Sequence, residues 1–159
     1  MDIGLYHGKQ YRIGKFTDVS LHLLSRSKDE GFTEFINSKG VLVENKYIID
    51  IPIADLEDAY ELWHDVIYKG NQFEADNIET LLESGSVDID TDDLDTANKF
   101  GFKMQDQYWY SKTIKFKDIE ALIEIKEPIL KFEKTKQTTT HTIPKEEIMD
   151  YVKYIASFA

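Results

Sequence analysis

The sequence predicts an α+β protein in which residues 1–159 form one domain, with a mostly antiparallel sheet and about four to five helices. The chain has 159 residues, a usual length for one compact domain. Hydrophobic residues make up 42% and aromatic residues 13%, which is enough apolar material to fill a core of that size. Strand-like and helix-like segments follow one another without a long linker rich in glycine, serine or proline. This pattern favours one mixed domain.

The first third of the chain alternates apolar and polar residues, which is typical of strands. Residues 2–15 alternate about His7-Gly8-Lys9 and predict a β-hairpin with glycine in its turn. Residues 19–23 continue the alternation. We expect a short helix over residues 32–36, and a second hairpin over residues 41–51 with its turn at 44–46.

Residues 55–69 predict the clearest helix in the chain. At 100° per residue, the apolar and aromatic side chains gather on one side and the carboxylates on the other. Gly70 follows as a left-handed helix end. The side predicted to face solvent carries Glu57, Asp58, Glu61, His64, Asp65 and Tyr68. We therefore expect an exposed helix face with four carboxylates and no cation between them.

Two shorter helices are predicted from their capping residues. Asp76, with Glu79 three residues later, begins a helix that ends before Gly85. Residues 92–100 form the other, which Gly101 stops. Both helices begin among carboxylates, which interact favourably with the positive end of a helix dipole.

The last third predicts two more helices and a loop. Asp118 caps a helix that ends near Pro128, and Pro144 opens the last helix at its first position. Residues 129–134 look extended. Residues 137–141, with three threonines, are the best candidate for a loop.

A strand is predicted at residues 87–90. Further along the chain, the aromatic run Tyr108-Trp109-Tyr110 begins a β-like segment that extends to Phe116. Alternation sends Tyr108 and Tyr110 to one face and Trp109 to the other. The run could provide a stacking platform or a binding hot spot for a partner. Structural use is the favoured interpretation, because at least one of the two faces is expected to lie in the core.

The negative charge is concentrated in one stretch. The net charge is −11, and residues 50–106 hold sixteen Asp and Glu residues against three lysines, while each flanking part has a net charge of +1. A dense surface of one sign repels phosphate backbones, so direct nucleic-acid binding is not expected. The chain also has only two arginines, the residues best suited to bidentate phosphate and base recognition.

The run from Asp88 to Asp95 resembles the start of a calcium loop but fails its later positions. Alternate aspartates fit positions one, three and five of an EF-hand. The sixth position should be glycine and is Asp93, and the twelfth should be glutamate and is Lys99. A solvated acidic strand and helix start is the simpler interpretation.

Other catalytic signatures are also incomplete. The chain has no cysteine, which excludes disulfides, thiolate nucleophiles and Cys-ligated metals. Glu61 and His64 have the E-x-x-H spacing of di-iron proteins, but the second copy that such a site needs is missing. No nucleophile elbow or phosphate-binding glycine loop is present. We therefore predict no catalytic residue, no metal site and no cofactor.

These observations predict a small acidic protein-binding module, an inhibitor or immunity protein that covers the cationic cleft of a basic toxin or nuclease. The predicted partner-binding residues are Glu57, Asp58, Glu61, His64, Asp65, Tyr68, Asp88, Asp90, Asp92 and Asp95. The alternatives are a nucleic-acid mimic of phage type, and a small hydrolase or metal-assisted enzyme that uses the Asp88–Asp95 cluster. The acidic start and the lack of a long apolar run predict a cytoplasmic protein without membrane contact.

Overall fold

Antiparallel strands dominate the computed structural model, which describes residues 1–158. The strands are β1 (Asp2–Tyr6), β2 (Lys9–Phe16), β3 (Ser20–Ser25), β4 (Thr33–Ile36), β5 (Leu42–Pro52), β6 (Asp58–Tyr68), β7 (Asn71–Ala75), β8 (Ser86–Thr91), β9 (Lys103–Asp106), β10 (Trp109–Lys115), β11 (Ile119–Pro128) and β12 (Thr139–Pro144). The helices are α1 (Thr80–Ser84), α2 (Leu94–Phe100) and α3 (Ile148–Ala156). Short 3-10 turns cover Ile53–Asp55, Phe116–Asp118, Leu130–Phe132 and Lys145–Glu147.

The mostly antiparallel sheet is confirmed, but residues 1–158 contain three α-helices instead of four to five. Contacts within the chain define two compact units. Unit 1 comprises residues 1–62, 126–139 and 156–158, and unit 2 comprises residues 63–125 and 140–155. That residues 1–159 form one domain stays a prediction. No helix within residues 1–158 is long and apolar enough to cross a membrane.

In unit 1 the strands follow the order β4-β5-β3-β2-β1, and the first residues of β6 pair with β1. The predicted hairpin of β1 and β2 is confirmed. Its turn residues His7 and Gly8 both have positive φ, 49° and 75°, as a tight two-residue hairpin turn requires. One face of this sheet forms the core, in which Leu21 and Leu23 are almost completely buried.

In unit 2 the later residues of β6 are followed by β7, β8, β10 and β9 across the sheet. One face is buried, and Val66, Val87 and Ile89 are each at most 1% exposed. Helices α1 and α2 contact β8. Ile148 and Val152 of α3 are fully buried, so the helix is amphipathic as its sequence predicts.

The predicted helix over residues 55–69 is wrong, because this segment forms strand β6. Burial alternates along it: Tyr60, His64 and Tyr68 are buried, whereas Glu61 is exposed. The sequence of this segment also fits the alternation of a strand, in which every second side chain is buried, if His64 is counted among the buried residues. Because β6 is paired along its length, the sheet decides between the two periods.

Other short helices and one loop are also strands. Residues 32–36 belong mostly to β4, and the segment after Asp118 is β11, whose β-branched residues favour a strand. The second hairpin is wrong because β5 continues through Asn45, which adopts a left-handed φ of 56° within the strand. The predicted loop at 137–141 enters β12, and the extended segment at 129–134 contains a 3-10 turn.

The glycine ends of both shorter helices are confirmed, but the predicted Asp76 cap is wrong, because Glu79 is the N-cap of α1 and makes no side-chain cap hydrogen bond. Gly85 and Gly101 follow α1 and α2 with left-handed φ values of 73° and 74°. The Asp93 side chain caps α2 by accepting from the Thr96 backbone N–H at 2.9 Å. The first helix begins at Thr80 and is shorter than predicted. Pro144 ends β12 and precedes the 3-10 turn that leads into α3.

Candidate functional site

Three carboxylates form a row across neighbouring strands of unit 2. Asp65 on β6 is the register partner of Glu74 on β7, and Glu74 is the register partner of Asp90 on β8. Directly opposed residues in an antiparallel sheet point to the same face with Cβ atoms about 4.5–5.5 Å apart. We call Asp65, Glu74 and Asp90 the acidic row. It lies on the face of the sheet opposite the buried Val66 and Ile89.

The acidic row is electrostatically unfavourable in the isolated protein. Burial raises the pKa of Glu74, and the neighbouring Asp65, Asp90 and Asp76 raise it further. The folded protein therefore holds the Glu74 proton to a higher pH than the unfolded chain, and the charging of this group opposes folding as the pH rises through its pKa. A bound cation would reverse this effect.

Hydrogen bonds satisfy the acidic row only in part. The Gln72 side-chain amide donates to Asp65 Oδ2 at 2.7 Å. Asp90 Oδ1 is buried and has no hydrogen-bond partner among the described residues. A buried acceptor without a donor costs about 1–3 kcal/mol, more when it is charged.

A groove of about 660 Å³ passes over this part of unit 2. It is lined by Asn71, Gln72, Phe73, Glu74, Asp90, Thr91, Asp92, Thr96, Tyr108 and Trp109. Its volume lies within the range of about 300–1,000 Å³ for ligand sites. We call it the acidic groove.

Two aromatic side chains are exposed at the acidic groove. Trp109 is 50% and Tyr108 71% exposed, whereas the next residue, Tyr110, is buried. Alternation along β10 places Trp109 on the outward face, on the same side as Ser111, which is the register partner of Asp90. Tyr108 lies in the turn before β10 with a left-handed φ of 59°, so it does not share the buried face of Tyr110 as the sequence predicts. The prediction that Trp109 faces away from Tyr110 is confirmed.

Carboxylates beside exposed aromatic rings are suited to a cationic ligand. A guanidinium or ammonium group can donate to Glu74 and Asp90 while it lies on an aromatic face. The net charge of unit 2 as a whole is also negative, because this unit contains seventeen Asp and Glu residues and eight lysines. The arrangement favours cations over phosphates.

The structure brings together three of the ten predicted partner-binding residues. Asp65 and Asp90 belong to the acidic row, and Asp92 lines the acidic groove. Asp88 lies two residues before Asp90 on the same face and accepts a hydrogen bond from Thr113. Asp95 is exposed in the first turn of α2.

Three other predicted residues belong to unit 1, and two of them already have partners there. Glu57 accepts from the Gly8 backbone N–H at 3.0 Å. Asp58 forms an ion pair with Lys136 at 2.9 Å. Glu61 is exposed and is the register partner of Asp2. The carboxylates of the acidic stretch are therefore divided between the units.

His64 and Tyr68 do not face solvent, so this part of the prediction is wrong. They are 6% and 5% exposed, because both fall on the buried face of β6. The Tyr151 hydroxyl donates to Glu124 Oε2 at 2.7 Å and lies 2.7 Å from His64 Nε2. Since that hydroxyl proton goes to Glu124, the His64 Nε2–H donates to Tyr151. Burial lowers the pKa of His64 to about 4, against the opposing effect of Glu124.

Glu74 is absent from the sequence prediction, and Tyr108 and Trp109 appear there as a platform or hot spot but not among the ten partner-binding residues. The sequence does contain a signal for Glu74, because Lys69-Gly70 is suited to a two-residue hairpin turn. In the structure these two residues form that turn, with φ values of 47° and 75°. Alternation after that turn puts Gln72 and Glu74 on one face. Among residues 1–158, no group of three or more His, Asp or Glu side chains could hold a metal ion.

The model of the family described as "Uncharacterised conserved protein UCP033725" matches residues 3–131. No curated protein and no solved structure matches the chain. The matched range includes all the residues that line the acidic groove.

Proposed function

The chain belongs to the family whose model matches residues 3–131, and we propose that it is a small acidic binding module whose acidic groove receives a cationic segment of a basic protein. In this proposal it acts as an inhibitor or immunity protein in the cytoplasm and neutralises a basic toxin or nuclease. The observation that carries the proposal is the acidic row beside the exposed Trp109 and Tyr108.

Electrostatics support a protein partner with a positive surface. Nucleases bind nucleic acid through positively charged clefts, and a surface with excess carboxylates is complementary to them. The repulsion within the acidic row decreases when a cation binds, so part of the binding free energy comes from relief of unfavourable interactions in the free protein. Such complementarity also speeds association at low salt.

The aromatic side chains add a contribution that charge alone does not supply. Trp and Tyr are enriched at binding hot spots because they bury a large area and lose little conformational freedom. Trp109 lies beside the carboxylates on the same outward face, so one partner side chain can contact both.

A charge-matched pair of variants tests the proposal. The groove variant Asp65→Asn/Glu74→Gln/Asp90→Asn and the control Glu30→Gln/Glu44→Gln/Glu133→Gln change the net charge equally, and the three control residues are exposed in unit 1. We expect the groove variant to bind an octa-arginine peptide at least tenfold more weakly by isothermal titration calorimetry. The control should change the dissociation constant less than twofold.

Equal losses in the two variants would contradict the proposal, because they would show that only net charge attracts the peptide. Recovery of a basic protein by immobilised wild type, but not by the groove variant, would identify the natural partner. That partner should lose affinity steeply as the salt concentration rises.

A further inference from the structure

The outward face of the unit 1 sheet carries apolar residues where polar ones are expected. Leu24 on β3 is the register partner of Ile48 on β5, and both are half-buried. Their chain neighbours Leu23 and Ile49 point to the opposite face and contribute to the core. A solvated face of an antiparallel sheet is usually polar. An adjacent apolar pair on that face therefore needs an explanation.

These side chains form the floor of a groove of about 430 Å³. It is lined by Gly14, Lys15, His22, Leu24, Phe35, Ile36, Asn37, Ser38 and Ile48. Phe35 and Ile36 come from β4, and Ile36 is 60% exposed. The volume and the mixture of apolar surface with a few polar groups match small-molecule sites.

Gly14 leaves part of this groove open. Its φ is outside the left-handed region, so its backbone conformation does not require glycine. A Cβ atom there would lie 3.5 Å from Leu24 Cδ1 and 3.6 Å from His22 Cβ, which is ordinary van der Waals contact. Packing therefore does not require glycine either. Gly14 lies where the pairing of β2 with β3 shifts register, between Ile13 and Phe16. Glycine occurs at such irregularities as well as where a ligand approaches closely.

The charge at this groove is cationic. The charged or titratable lining residues are Lys15 and His22, and the Lys46 ammonium lies 4.5 Å from the centre of the Phe35 ring. The Asp50 carboxylate is the register partner of His22 on the same face and lies 4.0 Å from its Nε2, so the positive charge at the groove is that of Lys15 and Lys46. The groove thus combines an apolar floor with positive charge at its edge.

This combination fits one ligand class. We propose that the groove binds an aliphatic carboxylate, with its chain across Leu24, Ile48 and Phe35 and its carboxylate at Lys15. A second copy of this chain fits less well, because a symmetric contact would bring the Lys15 ammonium groups of both copies into one largely apolar interface. The cationic charge also disfavours an aliphatic ammonium ligand.

Isothermal titration calorimetry with dodecanoate, below the concentration at which it forms micelles, tests the proposal on the full chain. We expect saturable binding of one molecule per chain, and binding of dodecyltrimethylammonium at least tenfold weaker. Gly14→Val should fill the groove and weaken dodecanoate binding at least tenfold. Because Gly14 lies at the register shift of β2, the thermal unfolding midpoint is measured beside the affinity to show that the variant keeps its fold.

Two further variants separate charge from packing. Lys15→Gln should weaken dodecanoate binding severalfold and leave dodecanol binding unchanged. Thr142→Val, on the exposed part of β12, is the matched control and should bind as wild type does. The proposal is overturned by no saturable binding, by unchanged affinity in Gly14→Val, or by dodecyltrimethylammonium binding as tightly as dodecanoate.

Discussion

Lowering the pH from 7 to 4 removes about 3 kcal/mol of stability through His64 alone. The folded pKa of this residue is about 4, below the ordinary value of 6.5, because the ring is buried. The unfolded chain takes up the proton as the pH falls through 6.5, and the folded protein does so only near 4. The contribution is therefore complete above pH 6.5 and is lost between 6.5 and 4, at about 1.36 kcal/mol for each pH unit that separates the two pKa values.

Urea unfolding of wild type and His64→Phe at pH 7, 5.5 and 4.5 measures this contribution. Phenylalanine keeps an aromatic ring and cannot be protonated, while Tyr151 can still donate to Glu124. We expect the wild type to lose stability relative to the variant as the pH falls. His141→Phe changes an exposed histidine and should retain the wild-type pH dependence. Parallel pH profiles for wild type and His64→Phe would show that burial of His64 does not set this dependence.

Trp109→Ala is expected to weaken binding of the octa-arginine peptide at least tenfold, which corresponds to about 1.4 kcal/mol. A cation on a tryptophan face gains about 0.5–2 kcal/mol, and truncation also removes apolar contact area. Trp109 is 50% exposed, so its truncation should lower the free energy of unfolding less than truncation of a fully buried tryptophan does.

Phe16→Ala is the matched control for this prediction. Phe16 is 52% exposed on β2 of unit 1, so its truncation removes a similar exposed aromatic surface away from the acidic groove. It should leave the peptide affinity unchanged. Equal affinity of wild type and Trp109→Ala, measured by calorimetry, would contradict a role for the aromatic side chains in cation binding.

Sequence patterns predict the elements that local chemistry determines. The β1–β2 hairpin follows from His7 and Gly8 because a two-residue turn with two positive φ values selects such residues. Helix α2 follows from a capping aspartate at one end and Gly101 at the other. In both cases the deciding contacts lie within a few residues along the chain.

Strand β6 shows what local patterns cannot decide. Its apolar residues fit a helical wheel and an alternating strand, and pairing with residues far along the chain selects the strand. The incorrect helix prediction also places His64 on the solvent-exposed side, whereas the alternation of the strand places it on the buried side.

From the sequence, the candidate site can be predicted only as a stretch of the chain with a high density of negative charge. The excess of carboxylates in the middle of the chain is visible in the composition, and Asp65 and Asp90 are among the predicted residues. Their alignment with Glu74 depends on the register of three strands, which the sequence does not specify. The exposure of Tyr108 depends on a turn with positive φ at a tyrosine, a conformation that is uncommon for such a residue.

Chemical-shift mapping by NMR during titration with octa-arginine tests the binding role of the acidic groove most directly. We expect the largest changes in chemical shift at the Trp109 indole N–H and at the backbone amides of Glu74 and Asp90. We also expect the pKa of Glu74 to fall when the peptide is bound, because the cation offsets repulsion within the acidic row. Changes centred outside the residues that line the acidic groove, with an unchanged Glu74 pKa, would contradict this role.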